Sequence, residues 1–202
     1  MEKILVWDLP TRIGHWLLVI AFIVSYLSGD SEEWRLVHVT AGYAMGGGLA
    51  FRLFWGVVGT RYARFKSFLF SPRAVFSYLS GLLRGKPAHW VGHNPAGSYA
   101  IYALVLLGLA VVGSGWAVYA EIGPEWLEDA HDTLSYVMLG VVGVHVAGVA
   151  VSSRLHRENL VRSMVTGYKQ GRSEEAIASS KKYWLVLLLG AVVSAGLMGL
   201  GT

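Results

Sequence analysis

Apolar residues in this chain are gathered into five long blocks, not spread at the spacing of a soluble amphipathic helix or strand. Each block is long enough to cross about 30 Å of hydrocarbon at about 1.5 Å per residue. A backbone inside a bilayer must satisfy its own hydrogen bonds, and the alternating pattern of a membrane β-barrel is absent, so the blocks predict helices. The predicted transmembrane segments are residues 13–28, 36–56, 98–119, 132–152 and 183–201.

The fold class predicted from this pattern is all-α, a transmembrane helical bundle. Its longest polar connection, residues 57–97, contains SPRAVFSYLSGLLRGKP, which begins with a Ser-Pro signal for helix entry and has apolar positions at helical spacing. We expect this stretch to form an amphipathic helix along the membrane surface.

Composition narrows the chemistry that the chain can support. Of its 202 residues, 54% are hydrophobic and 15% are charged, and none is cysteine, which excludes disulfides, iron–sulfur clusters and thiolate zinc sites. Any metal must therefore be held by His, Met or carboxylate. The first apolar block lacks a small-residue cleavage site, so we expect no removable signal peptide. No P-loop, dinucleotide fingerprint or hydrolase triad is present in the sequence.

Basic residues are sorted by position along the chain. Every Lys and Arg except Arg35 falls in the amino terminus, in residues 57–97 with the adjacent Arg52, or in residues 153–182. The positive-inside rule places these segments in the cytoplasm, with the amino terminus inside and the carboxyl terminus outside after five spans. The net charge of +4 thus reports topology and does not indicate a nucleic-acid partner. The opposite face is acidic, with Asp30, Glu32, Glu33, Glu121, Glu125, Glu128 and Asp129.

Two histidines stand in the fourth apolar block, which otherwise resembles a lipid-embedded helix. His131 and His145 are fourteen residues apart, which places them within roughly 40° of one helix face and about 21 Å apart along the axis. An imidazole in hydrocarbon is costly and marks a functional site, and it is a common axial ligand of haem iron. The plain alternative is that His131 caps the helix and His145 hydrogen-bonds a neighbouring helix.

Two further histidines match these depths. His15 lies near the cytoplasmic end of the first span, as His145 does in the fourth, and His38 lies near the outer end of the second, as His131 does in the fourth. We call His15 with His145 the inner pair and His38 with His131 the outer pair. The pairs predict two haems with two imidazole ligands each. Such ligation fills both axial positions of the iron, so electron transfer is the expected task.

Other residues of the first two spans are candidate haem contacts. Arg12 precedes His15 by three residues and can share its face, while Gly42 and Gly46 follow His38 by one and two turns and leave room for a flat macrocycle. Arg52, fourteen residues after His38, can pair with a propionate. The alternatives are that Arg52 reaches to lipid headgroups and that the glycines serve helix packing.

The turn His93-Asn94-Pro95-Ala96-Gly97 precedes the third span and is predicted to bind a quinone beside the inner pair. Asn94 can donate or accept a hydrogen bond, Gly97 permits close approach of a ring, and His93 can relay protons near neutral pH. A quinone needs these groups beside an apolar slot. The alternative is a helix-entry turn with Asn94 as N-cap and Pro95 at the first helical position, and both can hold together.

These stretches resemble the bacterial cytochrome b561 superfamily, in particular the di-haem b-type cytochrome subunits of nickel-iron hydrogenases. The resemblance covers about residues 4–170 and is carried by VWDLPTRIGHW, HVTAGYAMGGGLAFRLFWGVVG, GHNPAG, AHDTLSYVMLGVVGVHVAGV and RLHRENLVRSMVTG. It implies a four-helix bundle with two haems b held by the first, second and fourth spans, through the same inner and outer pairs. Residues 1–175 then form the di-haem domain, and residues 176–202 a linker end with a fifth transmembrane helix.

The resemblance implies a multi-pass protein of the bacterial inner membrane that moves electrons between a periplasmic redox partner and the quinone pool. The partner is a hydrogenase or other dehydrogenase subunit or a c-type cytochrome; a homo-oligomer remains open. One alternative is a stand-alone superoxide oxidase that reduces quinone, although the acidic outer face repels an anion. Another is a haem-free membrane scaffold.

Overall fold

The computed structural model describes residues 2–86 and 88–200, and its elements are mainly helices. The predicted end of the fifth span at residue 201 lies outside the described residues. Seven α-helices occur in the described part of the chain: α1 (Leu9–Ser28), α2 (Arg35–Val58), α3 (Pro72–Leu83), α4 (Pro95–Tyr119), α5 (Trp126–Leu155), α6 (Leu160–Thr166) and α7 (Leu185–Leu200).

Four helices of the described residues are long and apolar enough to cross a membrane. They are Leu9–Ser28, Pro95–Tyr119, Trp126–Leu155 and Lys182–Leu200, the last including a short 3-10 turn before α7. The helix α2 has 24 residues, which is a sufficient length, but His38, Arg52 and its glycines make it less apolar. The all-α membrane fold class is therefore confirmed, while hydropathy alone does not bring the number of spans to five.

Local signals explain where the helices begin. At α1 the Asp8 carboxylate accepts the backbone N–H of Thr11 at 2.8 Å, so the helix begins about one turn before its apolar block. At α3 Ser71 is the N-cap and Pro72 occupies the first turn, which confirms the helix predicted there. At α4 the Oδ1 atom of Asn94 accepts the N–H of Gly97 at 2.7 Å. The helix-entry interpretation of that turn is thus confirmed.

A short β-ribbon is the main departure from the sequence-based expectation. Strand β1 (Glu2–Leu5) pairs antiparallel with strand β2 (Tyr168–Gly171), with Glu2 opposite Gly171 and Leu5 opposite Tyr168. Gly167, which ends α6 in the left-handed conformation at φ +89°, extends the contact because its carbonyl accepts the N–H groups of Val6 and Trp7. The ribbon therefore ties the amino terminus to the chain that follows α5 and α6.

The chain divides into two compact units, each assembled from separate stretches. The ribbon unit comprises residues 1–12, 54–103 and 141–182, and the paired-histidine unit comprises residues 13–53, 104–140 and 183–202. The core of the ribbon unit is an apolar cluster beneath the β-ribbon, made of Ile4, Val6, Trp7, Tyr62 and Ile177. The hydroxyl of Tyr62 donates to the carbonyl of Glu175 at 2.8 Å, which joins two of the polar connections.

A buried carboxylate ties three segments of the ribbon unit together. Besides capping α1, Asp8 accepts the indole N–H of Trp55 at 3.1 Å and the hydroxyl of Thr60. Its side chain is 0% exposed. The start of α1 and the end of α2 are therefore fastened to each other by hydrogen bonds.

The C-terminal helix α7 packs on glycines of α2 in the paired-histidine unit. A Cβ atom at Gly47 would lie 2.3 Å from the backbone oxygen of Ala191, and one at Gly199 would lie 2.9 Å from the Cα atom of Thr40. Such spacing needs glycine, because it brings two helix backbones together. Leu188 of α7 is completely buried. The fifth apolar block is thus a packing helix, an arrangement that the sequence left open.

Candidate functional site

The outer pair comes together in the paired-histidine unit. The rings of His38 on α2 and His131 on α5 have centroids 6.1 Å apart, with an angle of 86° between their planes. Both side chains are half-buried. The two histidines are 93 positions apart in the sequence, so their proximity depends on how the helices of this unit pack.

Backbone carbonyls orient both rings of the outer pair. The Nδ1 atom of His38 lies 2.8 Å from the carbonyl oxygen of Ser25, and that of His131 lies 3.1 Å from the carbonyl oxygen of Val111. A carbonyl oxygen only accepts, so each Nδ1 carries the proton and donates it. The lone pair of each ring then resides on Nε2, which is the arrangement typical of metal-binding histidine. The Oγ atom of Ser114, 3.1 Å from Nδ1 of His131, adds a further partner.

A cavity of about 220 Å³ opens beside the outer pair. It is lined by Gly42 and Gly46 of α2 and by Gly115 of α4. A Cβ atom at Gly42 would meet nothing within 4 Å, so there is open space over this residue. A Cβ atom at Gly115 would come within 2.8 Å of Cε1 of His131. Gly115 therefore makes room for the imidazole, and Gly42 leaves room for a flat ligand.

The outer pair fits the axial ligands of a haem. A metal–imidazole bond of about 2 Å on each side, with the ring radius added, places two axial imidazoles roughly 6 Å apart between centroids. The observed separation of 6.1 Å agrees with this value. The Nδ1 contacts of both rings, the open space at Gly42 and this spacing are features that two imidazoles holding one iron through Nε2 would require.

The inner pair is divided between the units, with His15 in the paired-histidine unit and His145 in the ribbon unit. His15 on α1 is half-buried, and its ring lies edge-on to that of Trp16, 5.1 Å away. His145 is half-buried in the apolar middle of α5. Their pairing around a second haem stays a prediction.

The two arginines predicted to contact haem lie on α1 and α2. Arg12, in the first turn of α1, donates from Nη1 to the carbonyl of Val165 at 2.6 Å, near the C-terminal end of α6. A cation there complements the helix dipole. Arg52 is half-buried in the C-terminal half of α2. A haem contact of either guanidinium remains a prediction.

The turn before α4 has an aromatic lining. The His93 ring contacts those of Trp7 and Phe68, tilted to both, with centroid distances of 4.7 Å and 4.4 Å. Trp7 and Phe68 are both buried. Asn94 uses Oδ1 for the helix cap, so the group it can offer a ligand carbonyl is the Nδ2 amide donor. From the sequence, Asn94 could accept a hydrogen bond from a ligand or donate one; with Oδ1 engaged in the helix cap, Nδ2 is left as a donor.

A second pair of histidines lies in the ribbon unit, outside the long helices. The rings of His89 and His156 have centroids 5.8 Å apart. Burial lowers the pKa of His156, His89 and Lys169 lower it further, and Glu158 raises it. Burial also lowers the pKa of Lys169, whose Nζ atom lies 3.3 Å from a carboxylate oxygen of Glu158. The neutral form of His156 is favoured.

Sequence reasoning missed the groups that orient the outer pair. Ser25 and Val111 act through backbone carbonyls, which every residue has, so residue type gives no signal for them. Ser114 does leave one, because it is a hydroxyl residue within the apolar stretch of residues 103–118. A polar residue inside a lipid-embedded helix can be expected to pair with another polar group.

Comparison with protein families places the chain among membrane cytochromes. The family model described as prokaryotic cytochrome b561 matches residues 6–167. That range contains the outer pair, the inner pair and the turn before α4. No solved structure matches the chain at a significant level.

Three relatives illustrate the range of similarity. A protein of Rhodobacter capsulatus, named as a probable Ni/Fe-hydrogenase B-type cytochrome subunit, is 21% identical over 218 residues, covering 83% of this chain and 81% of its own. A protein of the same name from Cupriavidus necator is 25% identical over 211 residues, covering 81% and 86%. The probable Ni/Fe-hydrogenase 1 B-type cytochrome subunit of Escherichia coli K12 is 27% identical over 143 residues, covering 57% and 60%.

Proposed function

Because the chain belongs to the prokaryotic cytochrome b561 family, we propose that it is a di-haem cytochrome b that passes electrons between a redox partner and the membrane quinone pool. The family and the long apolar helices make it a multi-pass bacterial membrane protein. The inner membrane is the proposed location, with the amino terminus in the cytoplasm and the outer pair toward the periplasm.

The outer pair is the observation that carries this proposal. Two imidazoles 6.1 Å apart, each with Nδ1 donating to a carbonyl, suit a six-coordinate haem iron. When bound, haem b supplies a one-electron carrier. His38 and His131 would hold it, Gly42 would receive the face of the macrocycle, and Ser25 and Val111 would fix the two rings. The inner pair is proposed as a second haem site on the strength of matched depth along the helices.

The quinone site is proposed at the turn His93 to Gly97. The ring of His93 supplies an imidazole that can exchange protons, next to the apolar rings of Trp7 and Phe68. Asn94 would donate from Nδ2 to a quinone carbonyl. Reduction of a quinone takes up two electrons and two protons, so an imidazole beside a carbonyl donor suits the reaction.

The proposed redox partner is a hydrogenase, because the relatives are named as hydrogenase cytochrome subunits. Seven carboxylates in residues 30–33 and 121–129, predicted on the outer face, would attract a basic patch on that partner within a Debye length of roughly 8 Å at physiological salt. A basic c-type cytochrome presents the same charge and is the second choice.

The proposal predicts two haems b per chain, both reducible by quinol. We expect a pyridine haemochrome assay on the purified full-length protein to give two haems for each polypeptide, and anaerobic addition of a quinol to reduce them. A protein without haem would overturn the cytochrome function, and a protein with one haem would overturn the inner pair or the outer pair. Haem that no quinol reduces would instead exclude the quinone reaction.

Two substitutions test the turn separately from the haems. We expect Asn94→Leu and His93→Ala to keep both haems but slow quinol-dependent haem reduction by roughly tenfold to a hundredfold, because a carbonyl donor or a proton-exchanging group is lost. Asn94→Asp is the matched control for helix capping, since it keeps Oδ1 and loses the Nδ2 donor, and it should also be slow. Stopped-flow absorbance measures the rates, and wild-type rates in all three variants would remove this turn from the quinone site.

A further inference from the structure

A second, more open cleft adjoins the outer-pair cavity in the paired-histidine unit. It has a volume of about 720 Å³ and shares four lining residues with the outer-pair cavity: Val39, Tyr43, Trp116 and Tyr119. The rest of its lining is more polar and includes Glu32, Glu33 and Arg35. A ligand that fills the outer-pair cavity therefore meets this polar cleft at the shared wall.

Arg35 is the cation of the cleft among the described residues that line it. Its guanidinium carbon lies 5.6 Å from the ring centroid of Tyr119, a cation–π contact with the shared wall. Arg35 also precedes His38 by three residues on α2, so the two side chains share a helix face. Arg35 is thus within one turn of an outer-pair histidine, whereas Arg52 is about 21 Å from His38 along the axis of the same helix.

The geometry points to Arg35 as the residue that binds a propionate of the outer haem, with the propionate edge of the macrocycle extending into this cleft. This inference rests on the proposed outer haem. A porphyrin ring is apolar but its propionates are anionic, so they must leave the apolar cavity for a polar space. A guanidinium forms paired hydrogen bonds with a carboxylate. Because Glu32 and Glu33 also line this cleft, an anionic propionate needs the positive charge of Arg35 to bind there.

Arg35 should also set the reduction potential of the outer haem. A nearby cation favours the reduced iron, which carries one positive charge fewer. Removing the cation leaves Glu32 and Glu33 beside the propionate and favours the oxidised form. We expect Arg35→Gln to lower the equilibrium constant for outer-haem reduction about tenfold, equivalent to about 59 mV for a one-electron couple.

Redox titration of the full-length holoprotein tests this expectation. The outer haem is the component absent from His131→Ala, and the inner haem provides an internal reference that should not shift. Arg35→Lys keeps the charge and should shift less than Arg35→Gln, while Arg73→Gln, on the surface helix α3, should shift neither haem. Two bound haems with unchanged potentials in Arg35→Gln would overturn the inference and leave the proposed function standing. Absence of an outer haem from the wild-type protein would instead defeat the proposed function.

Esterified haem separates propionate binding from a general charge effect. The apoprotein is reconstituted with haem b or with its dimethyl ester, which has no anionic propionates. With the ester, we expect Arg35→Gln to shift the outer potential by less than half as much as with haem b, because the paired contact is already lost. A shift of equal size with haem b and with its dimethyl ester would show that Arg35 acts only as a nearby charge and would overturn the inference. If Arg35→Gln loses the outer haem, Tyr119→Leu is titrated instead, because it removes the ring that the Arg35 guanidinium contacts. The potential of the outer haem should then fall, and an unchanged potential in Tyr119→Leu would also overturn the inference.

Discussion

Replacing His131 by Ala should remove the outer haem and leave the inner one in place. The substitution deletes one of the two proposed ligands of the outer haem, and the imidazole of His38 alone would not hold the iron from both sides. We expect haem content to fall from two to one per chain in a pyridine haemochrome assay, with one redox component missing from the titration. His38→Ala should give the same result, because both histidines are proposed to ligate the same iron.

The control for this experiment uses the other histidine pair. His156→Ala removes an imidazole that is not among the proposed ligands and whose ring lies 5.8 Å from that of His89 in the ribbon unit. It should therefore keep both haems and both potentials. A His131→Ala protein that still binds two haems with wild-type spectra would show that the outer pair is not a ligand pair.

Replacing Asp8 by Ala should cause the largest loss of stability of any single substitution considered. The change leaves the indole N–H of Trp55 and the hydroxyl of Thr60 without their buried acceptor and removes the cap of α1. A buried donor left unsatisfied costs about 1–3 kcal/mol and a lost cap about 1 kcal/mol, so we expect a loss of roughly 3 kcal/mol. Thermal unfolding in detergent, followed by circular dichroism, measures the change.

Asp8→Asn is the matched variant for Asp8→Ala. It keeps the Oδ1 acceptor for Thr11 and has nearly the same volume, but it replaces the second acceptor oxygen by a donor. The thermal unfolding midpoint of Asp8→Asn should fall between those of the wild type and Asp8→Ala. Equal midpoints for all three proteins would mean that these hydrogen bonds add nothing to stability.

The helices were largely predictable because most of them have a local sequence signal, either a long apolar block or a capping residue followed by proline. The apolar blocks gave the long helices to within a few residues, and Ser71-Pro72 and Asn94-Pro95 marked the starts of α3 and α4. The start of α1 was placed four residues late, since it depends on the Asp8 cap and extends the helix before the apolar block. A polar first turn does not raise local hydropathy.

The β-ribbon could not be predicted from the sequence. Its strands have four residues each, too few for an alternating pattern to be recognised, and they pair across more than 160 residues of chain. The outer pair was predictable in identity because a buried imidazole is rare in lipid. The carbonyl partners of its Nδ1 atoms, and the approach of Arg35 to Tyr119, depend on packing between helices and left no pattern in the sequence.

The hydrogen bonds of Asp8 also bear on the path of α2, on the condition that α1 crosses a membrane. Asp8 stands before α1 and Thr60 stands after α2, and they can bond only if they lie at the same membrane surface. A chain that leaves this surface through the apolar helix α1 must return to it before residue 60. The helix α2 is the only element between these residues long enough for the return, although its hydropathy does not require it.

The β-ribbon gives the same condition, an even number of membrane crossings, for the longer stretch of chain between its two strands. From Leu5 to Tyr168 the chain must cross the membrane an even number of times, because these residues pair in one ribbon. If α1, α4 and α5, which are long and apolar enough to cross a membrane, each cross it once, then α2 would be the fourth crossing. On that condition, the Asp8–Thr60 contact and the β-ribbon predict an even number of membrane crossings without reference to the hydropathy of α2. Cysteine labelling of the connections would test this number.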